Sequence, residues 1–240
     1  MWFGTRSAPE IADPSPVARV AIPLPADQRQ PRLLQYPLAI TRDGTLLAYV
    51  ARGGDGIIRL YLRPLDRVEA RAVPGSEGAR APFFSPDGDW VGFVAYGALR
   101  KARVAGGEPV RIVQMASTAF GASWGPDGNI VYAPTINSGL WSISADGGEP
   151  EQLTQPDFGE EGYAHVWPQH LGDGRRVLYN VWGGNNPERV LDLDTLEAKS
   201  IRGSTSESGG LRILPTGHMI YSDREGVGRL LAAQIDLGSM

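Results

Sequence analysis

The sequence has 240 residues, of which 42% are hydrophobic and 21% are charged, with 31 Gly, 19 Pro and no Cys. The Gly and Pro content predicts a turn-rich folded chain with few long helices, and the lack of Cys excludes disulfides, thiolate metal sites and Cys nucleophiles. The formal net charge of -4, without any run of Lys or Arg, argues against nucleic acid as a partner.

The first predicted element is a single strand that follows an N-terminal linker. We expect residues 1–16 to be a disordered or linking segment and residues 17–240 to form one domain. No apolar run reaches the roughly 18 residues that span a bilayer, so we expect no membrane insertion of this chain. Residues 19–25 alternate apolar and other side chains, which predicts a β-strand that must join a sheet formed elsewhere.

After this strand, an apolar run followed by a turn recurs five times. The turns end in glycines spaced 44, 40, 46 and 43 residues apart, which are Gly44, Gly88, Gly128, Gly174 and Gly217. Pro and Asp favour such turns and Gly accepts positive φ, so we interpret the recurring aspartates as turn residues rather than catalytic carboxylates. These aspartates are Asp43, Asp87, Asp127 and Asp173.

Each repeat unit is predicted to contain four short strands. A period of roughly 40 to 45 residues with four strands is typical of β-propeller blades, so we predict an all-β propeller of about five blades. The last unit, residues 211–236, supplies three strands, and we expect the strand at 19–25 to become its fourth and close the ring. An unclosed ring would expose a sheet edge, with which a second copy would pair to form a homodimer.

Several of these segments resemble a known family. FFSPDG at 83–88 and SWGPDG at 123–128 are similar to the turn that marks the blades of TolB-type β-propellers. HVWPQHLGDG at 165–174 and LPTGHMIY at 214–221 more narrowly resemble the extracytoplasmic propeller domain of bacterial serine/threonine kinases. The resemblance implies a sensor or scaffolding domain outside the cytoplasm, whereas the composition itself identifies no compartment.

Connections between blades, and those between second and third strands, are expected to gather at one end of the propeller, which we call the upper face. In the sequence they are 26–36, 52–56, 74–80, 115–120, 134–138, 154–164, 182–187, 203–210 and 223–227. The longest between-blade segment, 155–163, precedes His165, and long loops that geometry does not need often bind partners. We therefore predict a binding site that comprises Tyr163, His165, Trp167, Glu77, Glu161 and Glu207.

The same residues suggest an alternative that includes a metal ion. Carboxylates with one imidazole at a channel mouth are able to bind a divalent cation, and His165 and Glu161 are its predicted ligands. Such an ion would lower the pKa of bound water and generate a hydrolytic nucleophile. Solvated rim carboxylates are the commoner explanation of this pattern. Beyond this ion, we expect no cofactor.

Two further positions are interpreted as structural. His170 stands where the other repeats have a core residue, which predicts a buried neutral histidine with one hydrogen-bond partner. Ser123 lies in a G-x-S-x-G pattern at 121–125, but a nucleophile elbow joins a strand to a helix, and this serine lies inside a predicted strand.

The sequence thus leaves two classes of function open, and it does not decide whether the protein is an enzyme. The first is a non-catalytic binding or sensor module that recognises a small ligand, a peptide or a protein on its upper face. The alternative is a metal-assisted hydrolase of an activated ester or phosphoester at the channel mouth.

Overall fold

The computed structural model describes residues 23–31, 37–115, 119–157, 164–183, 188–201, 212–214, 218–223 and 229–234. Across these ranges the chain forms 19 β-strands and no helix. Accordingly, none of the described segments is a helix able to cross a membrane. The high turn content and absence of helix in these ranges agree with the Gly-rich and Pro-rich composition.

The strands form five antiparallel sheets, which we call blades 1 to 5. Blade 1 contains β1 (Leu38–Ile40), β2 (Leu46–Arg52), β3 (Ile58–Pro64) and β4 (Arg71–Ala72). Blade 2 contains β5 (Arg80–Phe84), β6 (Trp90–Ala95), β7 (Ala98–Arg103) and β8 (Val110–Gln114). Blade 3 contains β9 (Ala122–Trp124), β10 (Asn129–Tyr132), β11 (Trp141–Ser144) and β12 (Glu151–Gln152). Blade 4 contains β13 (Ala164–His170), β14 (Arg176–Trp182), β15 (Glu188–Asp192) and β16 (Ala198–Ser200), and blade 5 contains β17 (Arg212–Ile213), β18 (His218–Asp223) and β19 (Arg229–Gln234).

The first strand of each blade lies at the centre of the molecule. Each sheet is a simple meander in sequence order, and β1 lies beside β5, β5 beside β9 and β9 beside β13. Blades 4 and 5 are joined at this level by Gln169, whose Nε2 donates to the Ile213 carbonyl at 2.6 Å and whose Oε1 accepts the Ile213 N–H at 3.2 Å. The radial arrangement confirms the predicted β-propeller.

Apolar side chains fill the space between consecutive blades. Ala48, Leu60 and Leu62 of blade 1 pack against Val91 and Phe93 of blade 2. Equivalent clusters lie between blades 2 and 3 and between blades 3 and 4. Burying one such side chain contributes about 1.5–3 kcal/mol, so these layers supply most of the free energy that holds the blades together.

The turns between first and second strands explain why the recurring motif contains Asp. The backbone N–H two residues further on donates to each of the four aspartates at 3.0–3.1 Å. In blades 1 and 2 a hydroxyl at the start of the turn also donates to the carboxylate, from Thr41 to Asp43 at 2.6 Å and from Ser85 to Asp87 at 2.5 Å. These bonds lower the pKa of Asp43 and Asp87. The interpretation of the aspartates as turn residues is confirmed.

The N-terminal residues that are described lie against blade 1. Residues 23–25 form no strand, and Leu24 packs on Leu47 and Tyr49. Arg29 and Arg52 exchange two backbone hydrogen bonds of 3.0 and 2.8 Å. Residues 19–22 lie outside the described ranges, so closure of the ring by the strand at 19–25 stays a prediction.

The packing between blades 1 and 2 predicts a large effect of truncating Phe93, which is fully buried. Phe93→Ala leaves a cavity and should lower the free energy of unfolding by about 3–5 kcal/mol. Denaturant-induced unfolding at equilibrium measures this change. The control is Val110→Ala on the outer strand β8, where a 51% exposed side chain should change stability by less than about 0.5 kcal/mol. Equal effects of the two substitutions would contradict this account of the core.

Candidate functional site

A cavity of about 550 Å³ lies at the centre of the propeller. The first strands of all five blades line it, from β1 to β17. Its described lining is mainly apolar and includes Trp124 and Trp167, while its charged lining residues are Arg42 and Arg212. A cavity of this size and composition resembles a small-molecule site, for which roughly 300–1,000 Å³ is usual.

His165 lies at the boundary between blades 3 and 4, where it is buried. Its Nδ1 is 2.7 Å from Oγ1 of Thr154, which in turn accepts the Leu140 N–H at 2.8 Å. The imidazole is 4.9 Å from the Tyr179 ring, and its backbone N–H donates to the Ser138 carbonyl at 3.0 Å. These contacts connect His165 to blade 3.

Trp167 lines the cavity in an unusual backbone conformation. Its φ is 54°, in the left-handed region, where β13 has a register shift between Val166 and Gln169. The indole lies edge-on to Trp182, with ring centroids 5.1 Å apart. Ala81, at the equivalent position of blade 2, has a φ of 46°, so this conformation belongs to the architecture that the two blades share.

Glu77 belongs to a line of charges on the connection between blades 1 and 2. Its Oε1 is 3.3 Å from Nε of Arg59, and Nη1 of the same guanidinium is 2.7 Å from Oδ2 of Asp55. The Ile57 backbone N–H, followed by Arg59, lowers the pKa of Asp55. Glu77 therefore has a cationic partner on the upper face.

The structure brings only part of the predicted site together. His165 and Trp167 lie two residues apart on β13, whereas Tyr163, Glu161 and Glu207 lie outside the described residues. Within the described ranges, no three His, Asp or Glu side chains are grouped so that they could hold a metal ion. The metal site through His165 and Glu161 stays a prediction.

His170 is connected to blade 3 through Ser123. The Ser123 Oγ accepts the His170 backbone N–H at 2.9 Å and lies 3.1 Å from Nδ1. Burial lowers the pKa of His170, and the Asp127 carboxylate partly offsets this. A Cβ on Gly125 would lie 2.7 Å from Nε2, so only glycine leaves room for the imidazole at this turn. Ser123 is thus held by a histidine within a strand, and no nucleophile elbow forms there.

Sequence reasoning missed Tyr96, which is 71% exposed. It stands in the tight connection between β6 and β7, with a φ of 51° and Gly97 after it. Ile57 and Ile136 are also exposed, and they lie in the corresponding connections of blades 1 and 3. The sequence signal for this position is an aromatic residue directly before a glycine. It is weak, because the turn between β6 and β7 has only two residues and does not stand out as a loop in the sequence.

Comparisons with known proteins identify the fold. No protein-family model matches the chain, and no curated protein sequence matches it. TolB from Acinetobacter baumannii superposes with a TM-score of 0.66 and 20% identity over 84% of this chain and 52% of that chain. The β-propeller domain of Cps50 (Swd1) from Myceliophteria thermophila gives a TM-score of 0.62 at 14% identity, covering 85% of this chain and 66% of that one.

A chain of the nidogen/laminin complex gives a TM-score of 0.60 at 14% identity and covers 73% of this chain and 70% of that chain. At these identities the likeness concerns the fold alone. The chain spans about half the length of the TolB that it matches. With the meandering sheets and the central cavity, these comparisons define the fold as a β-propeller similar to that of TolB.

The burial of His170 predicts a pH-dependent stability. The pKa of His170 is lowered on folding. As the pH falls below the ordinary histidine pKa, near 6.5, this imidazole therefore takes up a proton in the unfolded chain before it does so in the folded protein. The stabilisation is therefore complete above pH 6.5 and is lost below it, by up to about 1.4 kcal/mol per pH unit. Urea unfolding between pH 8 and pH 5 measures this loss.

His170→Gln should reduce the slope in this pH range relative to that of the wild-type protein. The aspartates with lowered pKa values titrate below this range and do not interfere. An unchanged slope in His170→Gln would show that the imidazole is protonated equally in both states.

Proposed function

We propose that this chain is a non-catalytic binding module whose upper face recognises a protein or peptide partner. The observation that carries the proposal is Tyr96, whose side chain is 71% exposed on the second-to-third-strand connection of blade 2, with Ile57 and Ile136 exposed on the corresponding connections of blades 1 and 3. Large exposed aromatic residues on a rigid frame are typical anchors of protein interfaces. Because each connection joins two strands of a packed blade, such anchors lose little conformational freedom on binding.

Charged groups near these anchors suit the rim of an interface. Arg59 lies between the carboxylates of Asp55 and Glu77, and all three are on connections or strand ends at the same end of blade 1. Rim charges mainly govern the rate and selectivity of association, while buried aromatic anchors govern its strength. This division of roles makes Tyr96 the first residue to test.

The predicted loop at 155–163 is the second part of the proposed interface. In this proposal Tyr163, Glu161 and Glu207 extend the surface around the channel mouth, and Trp167 forms its inner wall. His165 supports that wall, because its bond to Thr154 connects the loop's first residues to β13. Substitution of His165 should therefore affect binding through the position of the loop.

The comparisons support a binding role at the level of the fold. One of the similar structures is a complex between nidogen and laminin. The resemblance of residues 165–174 and 214–221 to kinase-linked propellers makes an extracytoplasmic sensor the specific form of the proposal. The hydrolase alternative stays a prediction, which elemental analysis of the purified protein tests.

A binding selection tests this function. Peptides enriched from a random displayed library on the wild-type protein should lose roughly 30-fold in affinity for Tyr96→Ala, as expected for an anchor worth about 2 kcal/mol. Val68→Ala is the matched control, since Val68 is 68% exposed in the connection between β3 and β4, at the opposite end of the blade. Binding curves for each variant give the affinities.

Trp167→Ala extends the test to the channel mouth, and thermal unfolding verifies that each variant is folded. Enriched peptides that bind wild type and Tyr96→Ala equally, or that lose affinity for Val68→Ala instead, would place recognition elsewhere and overturn the proposal for this face.

A further inference from the structure

Strand β1 presents apolar side chains to the central cavity. Leu38 and Ile40 are 55% and 53% exposed although both line the cavity. They pair with Tyr49 and Leu47 of β2, so all four side chains lie on the face of blade 1 that is turned away from blade 2. An occupant of the cavity that covers part of these two aliphatic side chains gains about 25 cal/mol per Å² of apolar surface removed from water.

The remaining wall of the cavity is also apolar. Leu214, which follows β17, is exposed and lines the cavity together with Phe83, Trp124 and Trp167. These groups come from four different blades and surround the space from several sides. A hydrocarbon chain that enters the channel would therefore contact apolar surface along its whole length.

Several polar side chains that line this space are already engaged with the protein, whereas Nε2 of His170 has no hydrogen-bond partner within the described part of the chain. Gln169 pairs with the Ile213 backbone, and the Ser123 hydroxyl is bonded to His170. The Thr41 and Ser85 hydroxyls donate to carboxylates of their own turns. A ligand gains little from hydrogen bonds to these engaged groups, so they discriminate mainly by hydrophobicity and charge.

The charge of the lining is positive. Arg42 and Arg212 are its charged members, and none of the described lining residues is Asp or Glu. The turn carboxylate nearest to Arg42 in sequence, Asp43, accepts hydrogen bonds from Thr41 and Thr45. Arg42 itself is exposed and stands two residues after Ile40, the last residue of β1. A guanidinium at the mouth of an apolar channel complements a carboxylate.

We propose that the central cavity binds an apolar carboxylate, with its hydrocarbon chain along Leu38 and Ile40 and its anionic group at Arg42. The volume of about 550 Å³ accommodates a molecule of this class. This site lies inside the ring and shares Trp167 with the proposed upper-face interface, but its test uses Ile40 and Arg42, so either proposal can fail without the other.

Isothermal titration with decanoate, below the concentration at which it forms micelles, tests the site. Decanoate should bind saturably with one molecule per chain, and at least tenfold more tightly than decan-1-ol or decyltrimethylammonium, which is about 1.4 kcal/mol. Equal affinity for the acid and the alcohol would overturn the role of the cation, and no saturable binding of decanoate would overturn the proposal.

Two substitutions separate the apolar and ionic contributions. Ile40→Glu should weaken decanoate binding at least tenfold, whereas Val110→Glu, at a position of similar exposure on the outer strand β8, should not change it. Arg42→Glu should weaken binding of decanoate at least tenfold and leave that of decan-1-ol unaltered. Thermal unfolding establishes that each variant is folded. Decanoate that binds Ile40→Glu and Val110→Glu equally would show that it occupies another surface.

Discussion

Face-to-face packing of consecutive sheets is the constraint on which the rest of the structure depends. Strand β6 illustrates this packing. Val91 and Phe93 face blade 1, whereas Val94, the residue directly after Phe93, faces blade 3. A strand that is apolar on both faces contributes to two cores at once, so its blade is fixed by both neighbours. The positions of the first strands, and with them the shape of the cavity, follow from these layers.

Directional polar contacts add to this packing at each boundary between blades. Lys101 of blade 2 pairs with Asp146 of blade 3 at 2.9 Å. The side chains of His165 and His170 both bond to blade 3, and the Gln169 side chain bonds to the backbone of Ile213 in blade 5. Apolar layers alone would allow one sheet to slide on the next, whereas hydrogen bonds require a specific alignment. Two of these groups are imidazoles at one boundary, each with a hydroxyl of blade 3 as its partner.

The sequence predicted the features that depend on local chemistry. The turn glycines and aspartates follow from backbone conformation within four residues, and the core position of His170 follows from the repeat register. Contacts that join distant segments were not predictable in this way: the Thr154 partner of His165 and the Arg59 partner of Glu77 depend on how blades and connections meet in space. Even one local expectation does not hold. A residue before proline is normally extended, yet Ala81 and Trp167, which both precede prolines, have positive φ.

These two residues distinguish blades 2 and 4 from blades 1 and 3, whose inner strands pair without a register shift. Ala81 and Trp167 precede prolines at the same position of their repeats, and both β5 and β13 have a register shift there. A bulge and a missing N–H together make an inner strand edge unsuitable for pairing. Strand β1 pairs with β2 without such a shift and has no proline between Leu38 and Ile40. In a repeat fold, shared residues maintain the architecture, so specificity must come from positions where one unit departs from the pattern.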